Sequence, residues 1–356
     1  MYPALAVLQA LEGNLDEILW VGSQGGMEAE LVQRLKIPFQ AIPAAGLHGI
    51  GIRTLPANLV KLARGVAAAG RILKDFRPHA VLYTGGFIAA PMALVARQIP
   101  SLLFVPDIEP GMALKFIARF ASIIALTSME SAKYFKHHER LIETGYPTRS
   151  NLLPIDKTIA KTHFGLKTEK PTILAFGGSK GAHSINQALT AILPDLLEIA
   201  QVIHISGAFD WHATQTIFQQ LPVRQQADYK IFPYLHEEMG LAFSASDLVI
   251  SRAGASTLGE YPLFKLPAIL IPYPHAWRYQ KVNAQFLASQ GAAMVINDED
   301  LAAKLFPALI ELFDNPHEIT KMGSSMAQLL QPQAASKIAD LLLEIAGKTQ
   351  TERGTA

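Results

Sequence analysis

Short runs of Val, Ile and Leu alternate with longer amphipathic stretches along the chain, and this alternation predicts its architecture. Runs that are apolar at nearly every position are typical of strands covered on both faces, as in a parallel sheet flanked by helices. The predicted strands are Ile18–Val21, Ala80–Tyr83, Ser101–Val105, Ser122–Leu126 and Leu141–Glu143, then Thr172–Phe176, Gln201–Ile205, Lys230–Phe232, Asp247–Ile250, Ala268–Ile271 and Ala293–Ile296. The predicted helices include Met27–Leu35, Ala182–Ile199 and Leu301–Phe313.

This strand and helix pattern occurs twice, and the polar, strandless stretch Thr148–Lys170 separates the two occurrences. The sequence therefore predicts an α/β protein with two doubly wound domains, over residues 1–148 and 149–330. Residues 331–356 are predicted to form a last helix, Gln331–Gly347, and a polar tail. The length of 356 residues agrees with two domains.

The first domain opens in an unusual way. A doubly wound domain normally begins with a strand and a tight turn, whereas this chain begins directly with a helix, Ala4–Leu11, with Pro3 suited to the first turn. The residues alone leave two interpretations open: a strand and turn are missing, or the domain simply begins with a helix.

Composition excludes several classes of protein. Lys and Arg number 31 against 30 Asp and Glu, a net charge of +1, so no strong overall field draws the chain to nucleic acid. The chain has no cysteine, which excludes disulfides, iron–sulfur clusters, Cys-ligated zinc and a cysteine nucleophile. No apolar run reaches about 18 residues, so we expect a soluble cytoplasmic protein, with attachment to a membrane surface left open.

The motif Gly177-Gly178-Ser179-Lys180-Gly181 follows a predicted strand and precedes a predicted helix. Ligands of open α/β sheets bind at such positions, beyond the carboxyl ends of the strands. Glycines let the backbone approach a phosphate, free N–H groups and the helix dipole favour an anion, and Ser179 adds a hydroxyl donor. Because the motif is neither a Walker A loop nor a complete G-x-G-x-x-G, a tight turn without a ligand stays open.

Small residues also fill the segment 251–259, which follows the predicted strand Asp247–Ile250 and leads to Glu260 in the next helix. A carboxylate at that place can accept two hydrogen bonds from the vicinal diol of a ribose, although a solvated helical Glu is the commoner case. Arg252 suits either a phosphate contact or a structural tie.

Weaker candidates lie in three other turns. The turn Tyr83–Phe87, which contains two glycines, would face the second domain across a cleft, or is a plain turn. Gln280 follows the turn Pro272–His275, and its amide suits sugar hydroxyls. Asp298-Glu299-Asp300 resembles a D-x-D metal motif, but we expect Asn297 or Asp298 to cap the following helix instead and predict no metal site.

The segment Arg53–Arg77 is basic and amphipathic, with Lys61, Arg64 and Arg71 interleaved among apolar residues and no acid before Asp75. Such a helix can lie on an anionic leaflet. A core helix with a solvated basic face explains the same pattern.

Two long segments, PTILAFGGSKGAHSINQ (171–187) and DLVISRAGASTLGEYPLFKLPAILIPYPHAWRYQKVN (247–283), are similar to the carboxyl-terminal half of the MurG family. In the first half YPALAV, GSQGGMEAELV, AGLHGIGIR, TGGF and GYPTR occur in that family's order. The resemblance implies the GT-B fold, with two Rossmann-like domains facing a cleft. It also implies inverting transfer of GlcNAc from UDP-GlcNAc to the muramyl 4-hydroxyl of lipid I, which gives lipid II in peptidoglycan synthesis.

The same resemblance assigns roles to individual residues. Leu235 would meet the uracil through its backbone, Glu260 would hold the ribose diol, and Gln280 would touch the sugar. The full UDP-GlcNAc set is Arg149, Ser179, Leu235, Ala255, Ser256, Thr257, Glu260 and Gln280, with Gly177 and Gly178 in the phosphate loop. The resemblance implies no cofactor, because UDP-GlcNAc is a substrate. It also implies an enzyme on the cytoplasmic side of an anionic membrane, with Lys61, Arg64 and Arg71 as its membrane patch.

The sequence departs from the family at two places. The glycine loop GGTGGH, which in the family precedes the PALAV helix, is absent together with the opening strand and a histidine sometimes proposed as the base, so we expect a misassigned start codon. The family's EQNAxPG segment reads Val105–Gly111 here, and Asp107 replaces the sugar-contacting Asn. Asp107 is therefore a candidate base, with an ordinary loop Asp as the alternative. The alternative functions are another GT-B enzyme that uses UDP-sugars, such as a glycolipid glycosyltransferase or a UDP-GlcNAc 2-epimerase, and a UDP-sugar-binding protein without turnover.

Overall fold

The computed structural model describes residues 1–23, 28–43, 55–178, 181–275 and 279–347. The chain divides into a first unit, Met1–Arg149 with Gln333–Ala356, and a second unit, Ser150–Pro332. The loop segment AGLHGIGIR and Ser179 lie outside the described residues, as does the tail after Gly347.

The described strands of the first unit are parallel and form two separate sheets. Strand β1 (Trp20–Ser23) pairs with β2 (Phe39–Ile42). The second sheet has the order β3 (Val81–Tyr83), β4 (Ser101–Val105), β5 (Ile123–Leu126) and β6 (Leu141–Glu143). The sequence predicted five of these strands, but β2 was missed because its four residues, Phe-Gln-Ala-Ile, include only a short apolar signal between two prolines.

Helices pack against the sheets of the first unit, with Glu28–Arg34 beside β1 and β2 and other helices on both faces of the four-stranded sheet. They are α1 (Tyr2–Ala10), α2 (Glu28–Arg34), α3 (Leu55–Phe76), α4 (Ala89–Val95) and α5 (Met112–Ile117), followed by a short 3₁₀ helix, Met129–Tyr134. Successive residues of a strand point to opposite faces, so Leu102 of β4 packs with Val7 of α1, while Leu103 packs with Ile72 of α3.

The second unit contains one parallel sheet of six strands in the order β12-β11-β10-β7-β8-β9. The strands are β7 (Thr172–Phe176), β8 (Gln201–Ile205), β9 (Tyr229–Phe232), β10 (Leu248–Ser251), β11 (Ala268–Leu270) and β12 (Ala293–Val295). The helices are α6 (Lys157–His163), α7 (His183–Ala191), α8 (Leu193–Ile199), α9 (Trp211–Gln220), α10 (Val223–Gln226), α11 (Met239–Ala245), α12 (Thr257–Phe264), α13 (Tyr279–Ser289), α14 (Leu301–Asp314) and α15 (Pro316–Gln328). Every residue of β8 and β10 is buried, which explains why these strands read as continuous apolar runs.

The prediction of one helix over Ala182–Ile199 is wrong. The structure has two helices, α7 and α8, that meet at Ile192, and Pro194 lies in the first turn of the second. Proline lacks the N–H that would continue the first helix, but it is well suited to a helix beginning.

The last helix, α16 (Ala334–Ile345), belongs to the first unit. Its residues Ile338 and Ala339 share a buried cluster with Val7 and Phe104, and Arg140 Nη2 donates to Glu344 Oε1 at 2.9 Å. The chain therefore returns to its first unit after completing the second.

Candidate functional site

The carboxyl ends of all six strands of the second unit lie along one edge of its sheet, because every pair is parallel. Phe176, the last residue of β7, is opposite Ser251 of β10 on one side and Ile205 of β8 on the other. The chain runs outward from β7 to β8 and β9, then returns to β10 on the opposite side of β7. The topological switch point therefore lies between β7 and β10, which is where open α/β sheets bind ligands.

The loop between β7 and α7 occupies one side of this switch point. A Cβ on Gly177 would lie 2.1 Å from the backbone nitrogen of Ala182, and one on Gly181 would lie 2.5 Å from the carbonyl oxygen of Ser206. Gly178 and Gly181 adopt φ values of +84° and +77°. The loop thus requires glycine for both space and conformation, and it folds tightly, with the N–H of Gly181 donating to the carbonyl of Gly178 at 3.0 Å.

Helix α7 begins beside this loop with its first N–H groups uncapped by side chains, since Ala182 precedes it and its first turn contains no acidic residue. Such a helix end favours a bound anion. Sequence analysis predicted this arrangement for Gly177 and Gly178, whereas Ser179 lies outside the described residues.

The loop between β10 and α12 occupies the other side of the switch point. Tight turns lead into the helix, with the N–H groups of Thr257 and Leu258 donating to the carbonyls of Gly254 and Ala255 at 3.0 and 3.1 Å. Thr257 Oγ1 also donates to the Gly254 carbonyl at 2.7 Å. Ala255 and Ser256 remain half-exposed at the beginning of the helix.

Glu260 lies in the first turn of α12, only 9 % exposed. The sequence left open a solvated carboxylate at this place, and the burial excludes it. A carboxylate this buried, within one turn of a loop at the switch point, is placed to accept hydrogen bonds from a bound polar group.

Leu235 and Gln280 follow two further strands at the same edge. Leu235, in the loop after β9, buries its side chain and is 5 % exposed, while its backbone N–H and carbonyl bond to no other described residue. Gln280 Oε1, near the beginning of α13, accepts from the N–H of Tyr273 at 2.9 Å. This bond fixes the Gln280 amide beside the loop that follows β11.

Arg252 forms a structural tie at the centre of this edge. Its Nη2 donates to Ser184 Oγ at 2.8 Å, its Nη1 donates to the Ile271 carbonyl at 3.2 Å, and the same nitrogen pairs with the Asp298 carboxylate. The guanidinium also lies 5.2 Å from the ring centroid of Tyr273. Three loops and the first turn of α7 are thereby held together.

Asn297 occupies the N-cap position of the 3₁₀ helix Asp298–Asp300, as expected, but the expected capping bond from a side chain is not formed. Neither side chain caps the 3₁₀ helix Asp298–Asp300 or the following α14. Asp298 accepts instead from Arg252 and from Ser184 Oγ, the latter at 2.7 Å, because a charged partner offers stronger bonds than a backbone N–H.

A second hydrogen-bond network holds helix α7 in place. His183 Nδ1 bonds to Asp210 Oδ1 at 2.8 Å, and Asn186 Nδ2 donates to Asp210 Oδ2 at 2.7 Å and to the Ser206 carbonyl at 2.8 Å. His204 links Asn186 Oδ1, at 2.9 Å, to the Tyr229 hydroxyl, at 2.7 Å. The network fixes the Ser206 carbonyl against which Gly181 packs.

These two networks were not predicted from the sequence. Nothing in the spacing of Ser184, Asn186 or Asp210 marks them, since their partners come from other loops. A Ser, Asn or His near a glycine-rich loop indicates such a network only when the order of the strands in the sheet is known.

In the first unit, Asp107 follows β4 and is half-exposed beside the buried Ile108, and its carbonyl accepts from Ser131 Oγ at 3.5 Å. Arg149 places its guanidinium carbon 4.8 Å from the ring centroid of Tyr2, at the beginning of α1. The turn after β3 has Gly85 and Gly86 at φ +114° and +83°, so both positions favour glycine.

Helix α3 carries the predicted basic patch. Lys61, Arg64 and Arg71 are exposed, and none of them forms an ion pair with another described residue. The opposite face, with Ala69 and Ile72, is buried against the sheet. Within the described part of the chain, no helix is long and apolar enough to cross a membrane and no cluster of His, Asp and Glu could hold a metal.

Two domain families match this chain. Residues 1–126 match the glycosyltransferase family 28 N-terminal domain, and residues 172–342 match the glycosyltransferase family 28 C-terminal domain. The chain is 37 % identical over 413 residues to the UDP-N-acetylglucosamine--N-acetylmuramyl-(pentapeptide) pyrophosphoryl-undecaprenol N-acetylglucosamine transferase of Roseiflexus sp. (strain RS-1), covering 99 % of this chain and 93 % of that protein.

Solved structures resemble the whole chain as well. MurG of Acinetobacter baumannii is 27 % identical, with a TM-score of 0.73, covering 96 % of this chain and 95 % of that one. UDP-GlcNAc 2-epimerase from Neisseria meningitidis, bound to UDP-GlcNAc, has a TM-score of 0.66 at 11 % identity, covering 96 % of both chains, which shows likeness of fold alone. The predicted GT-B fold class is confirmed by these likenesses.

Proposed function

Since the chain belongs to glycosyltransferase family 28 and to the MurG family within it, we propose that it transfers GlcNAc from UDP-GlcNAc to the muramyl 4-hydroxyl of lipid I, giving lipid II. The observation that carries the proposal is that four predicted donor-binding loops, which follow β7, β9, β10 and β11, lie along the one edge of the second sheet that contains its switch point. The reaction inverts the anomeric centre and serves peptidoglycan synthesis.

The donor nucleotide occupies this edge of the second unit. The uracil bonds to the unused backbone groups of Leu235, and Glu260 accepts from the two ribose hydroxyls. The beginning of α12, at Ala255, Ser256 and Thr257, lies along the nucleotide.

The diphosphate lies against Gly177, Gly178 and Ser179, at the beginning of α7. Uncapped N–H groups and the helix dipole stabilise the negative charge that develops on the departing UDP, so no metal or other cofactor is invoked. Gln280, whose amide oxygen is held by Tyr273, turns its amide nitrogen to the GlcNAc hydroxyls.

The acceptor side belongs to the first unit. The acceptor hydroxyl must lose a proton to a base within hydrogen-bond reach, and Asp107 at the carboxyl end of β4 is the candidate present in this chain. Arg149, beside Tyr2 at the beginning of α1, belongs to the predicted UDP-GlcNAc set and supplies positive charge to the donor diphosphate.

Lipid I is anchored in a membrane, so the enzyme works as a peripheral protein on its cytoplasmic side. The exposed cations of α3 bind the anionic leaflet, and Val60 of the same helix is 58 % exposed and adds apolar contact. We expect salt-sensitive binding to vesicles that contain anionic lipid, with loss of binding when Lys61, Arg64 and Arg71 are all replaced by Gln. Substitution of Lys304, Lys321 and Lys337 in the same way is the matched control, and equal loss in both triple variants would exclude the patch.

A separate experiment tests whether Glu260 binds the ribose hydroxyls of UDP-GlcNAc. Glu260→Gln removes a charged acceptor while keeping its shape, and calorimetric titration should show UDP-GlcNAc affinity at least about tenfold weaker, because hydrogen bonds to charged groups are among the strong ones. The exposed Glu311→Gln is the control and should bind as the parent does. Unchanged affinity in a folded Glu260→Gln protein would refute the assignment.

A paired assay separates the alternatives. Binding of UDP-GlcNAc with transfer to lipid I supports the proposed enzyme, while binding without transfer to any acceptor supports a UDP-sugar-binding protein. Conversion of UDP-GlcNAc to UDP-ManNAc without an acceptor would show a 2-epimerase, which shares the fold. Absence of UDP binding would contradict all three.

A further inference from the structure

The segment Pro272-Tyr273-Pro274 follows β11 and is stiff for a covalent reason. Proline fixes its own φ, and it also restricts the residue before it to extended backbone. Neither proline has an N–H, so the N–H of Tyr273 is the only backbone donor of these three residues, and it donates to Gln280 Oε1 at 2.9 Å. A displacement of the Tyr273 side chain therefore also displaces the donor that holds the Gln280 amide.

The ring of Tyr273 lies over the guanidinium of Arg252. The guanidinium carbon is 5.2 Å from the ring centroid, and the Arg252 side chain is only 11 % exposed. Cation–π attraction is stronger for a cation that is removed from water. The ring of His275 approaches the Tyr273 ring edge-on, with 5.5 Å between the centroids. Tyr273, although 44 % exposed, thus has a fixed support.

Arg252 keeps its place by bonds that do not involve Tyr273. Its Nη2 donates to Ser184 Oγ at 2.8 Å, and its Nη1 pairs with the carboxylate of Asp298. Ser184 is the second residue of α7, the helix whose beginning the proposed function assigns to the diphosphate. The guanidinium therefore links the diphosphate end of the site to the loop that holds Gln280.

We propose that Tyr273 is a positioning residue of the donor site, whose ring on Arg252 fixes the Gln280 amide relative to the beginning of α7. The inference rests on the proposed function, in which Gln280 binds the GlcNAc hydroxyls. Because the N–H of Tyr273 occupies Oε1, the amide nitrogen of Gln280 is left to donate to the sugar. A side chain that is already held in place loses less conformational entropy when the sugar binds. Tyr273 itself contacts no part of the substrate and acts on the sugar only through Gln280.

The proposed role separates binding of the sugar from binding of the nucleotide. UDP lacks GlcNAc, so it makes no contact with Gln280. Removal of the Tyr273 ring leaves the bonds of Arg252 to Ser184 and Asp298 in place, and the beginning of α7 is therefore unchanged. The Gln280 amide loses its fixed support at the same time, so only the contacts with GlcNAc weaken.

Calorimetric titration of the full chain with UDP and with UDP-GlcNAc tests this separation. Tyr273→Leu removes the ring and keeps the N–H, and it should weaken UDP-GlcNAc affinity about threefold or more while UDP affinity stays within about twofold of the parent's. Tyr273→Phe keeps the ring and should restore the parent's ratio of the two affinities. The matched control, Phe209→Leu, removes an 84 % exposed ring from the loop after β8 and should leave both affinities unchanged.

A double-mutant cycle tests whether Tyr273 acts through Gln280. Gln280→Leu removes the amide, and in that background Tyr273→Leu should cause no further loss of UDP-GlcNAc affinity. In transfer assays with lipid I, Tyr273→Leu should raise the KM for UDP-GlcNAc about threefold or more and leave kcat within about twofold, because bonds to hydroxyls away from the reacting centre form equally in the ground state and the transition state.

Three results overturn the proposal while the proposed function stands. Parental affinity for UDP-GlcNAc in Tyr273→Leu would show that the ring does not position the site. Equal weakening of UDP and UDP-GlcNAc would show that the ring supports the unit as a whole, and additive losses in the double variant would show that the ring contacts the sugar directly. A parent that binds neither ligand contradicts the proposed function, and this inference with it.

Discussion

His204 is a buried, neutral side chain of the second unit, and its burial disfavours protonation. It is 0 % exposed on β8, and burial lowers its pKa from 6.5 to about 4, while the charge of Asp210 works weakly in the other direction. Asn186 Oδ1 can only accept, so Nε2 of the ring carries the proton and Nδ1 accepts from the Tyr229 hydroxyl. Both nitrogens of the neutral ring therefore have hydrogen-bond partners, and a proton added at Nδ1 would remove the acceptor of the Tyr229 hydroxyl proton.

The sign of the pH effect follows from linkage. Between pH 6.5 and 4 the unfolded chain binds a proton at His204 and the folded chain does not, so the free energy of unfolding falls as the pH falls. With pKa values of 6.5 and about 4, the loss between pH 7 and pH 5 is about 2 kcal/mol. The pKa of Asp228 is also lowered, from 3.8, so its contribution is lost only below this range.

Urea unfolding at pH 7 and pH 5 measures this loss. In a Trp20→Phe, Trp277→Phe background the remaining tryptophan, Trp211 of α9, belongs to the second unit and reports its unfolding. His204→Gln should reduce the difference in the free energy of unfolding between pH 7 and pH 5 by about 2 kcal/mol, whatever its effect at pH 7. The exposed His212→Gln is the control, with the parent's pH dependence expected. If His204→Gln keeps the full difference, His204 is not the group responsible.

Two further predictions concern the loops at the switch point. Gly181→Ala should destabilise the second unit by about 2 kcal/mol or more and weaken UDP binding, because its Cβ would lie 2.5 Å from the Ser206 carbonyl oxygen at a positive φ. Gly178→Ala has a positive φ but no atom within 4 Å, so urea titration should show a smaller loss, and equal losses would contradict the steric argument. Asp298→Asn should cost about 2 kcal/mol in the same titration, since it leaves the mostly buried Arg252 without its charged partner. Asp300→Asn, which removes the half-exposed partner of the exposed Lys304, should change little, and a loss as large as that of Asp298→Asn would show that the burial of the pair does not matter.

Much of the candidate site could be predicted because it is local in the chain. Glycines directly after an apolar strand and before a helix indicate a ligand loop, and Gly177, Gly178 and Glu260 were found in this way. Leu235 came from family resemblance alone, since a backbone contact leaves no pattern in composition or periodicity, whereas the Gln280 amide was already a weak candidate for sugar hydroxyls before the resemblance.

The sequence by itself determined the α/β class, most of the strands and the positions of the glycine-rich loops, because burial on both faces demands continuous apolar runs and tight turns demand glycine. The tertiary structure alone decided which distant residues meet. Arg252 and Asp298 are 46 residues apart in the chain, and Arg140 and Glu344 are 204 apart. Such pairs depend on strand order and on the return of α16 to the first unit, which no local pattern encodes.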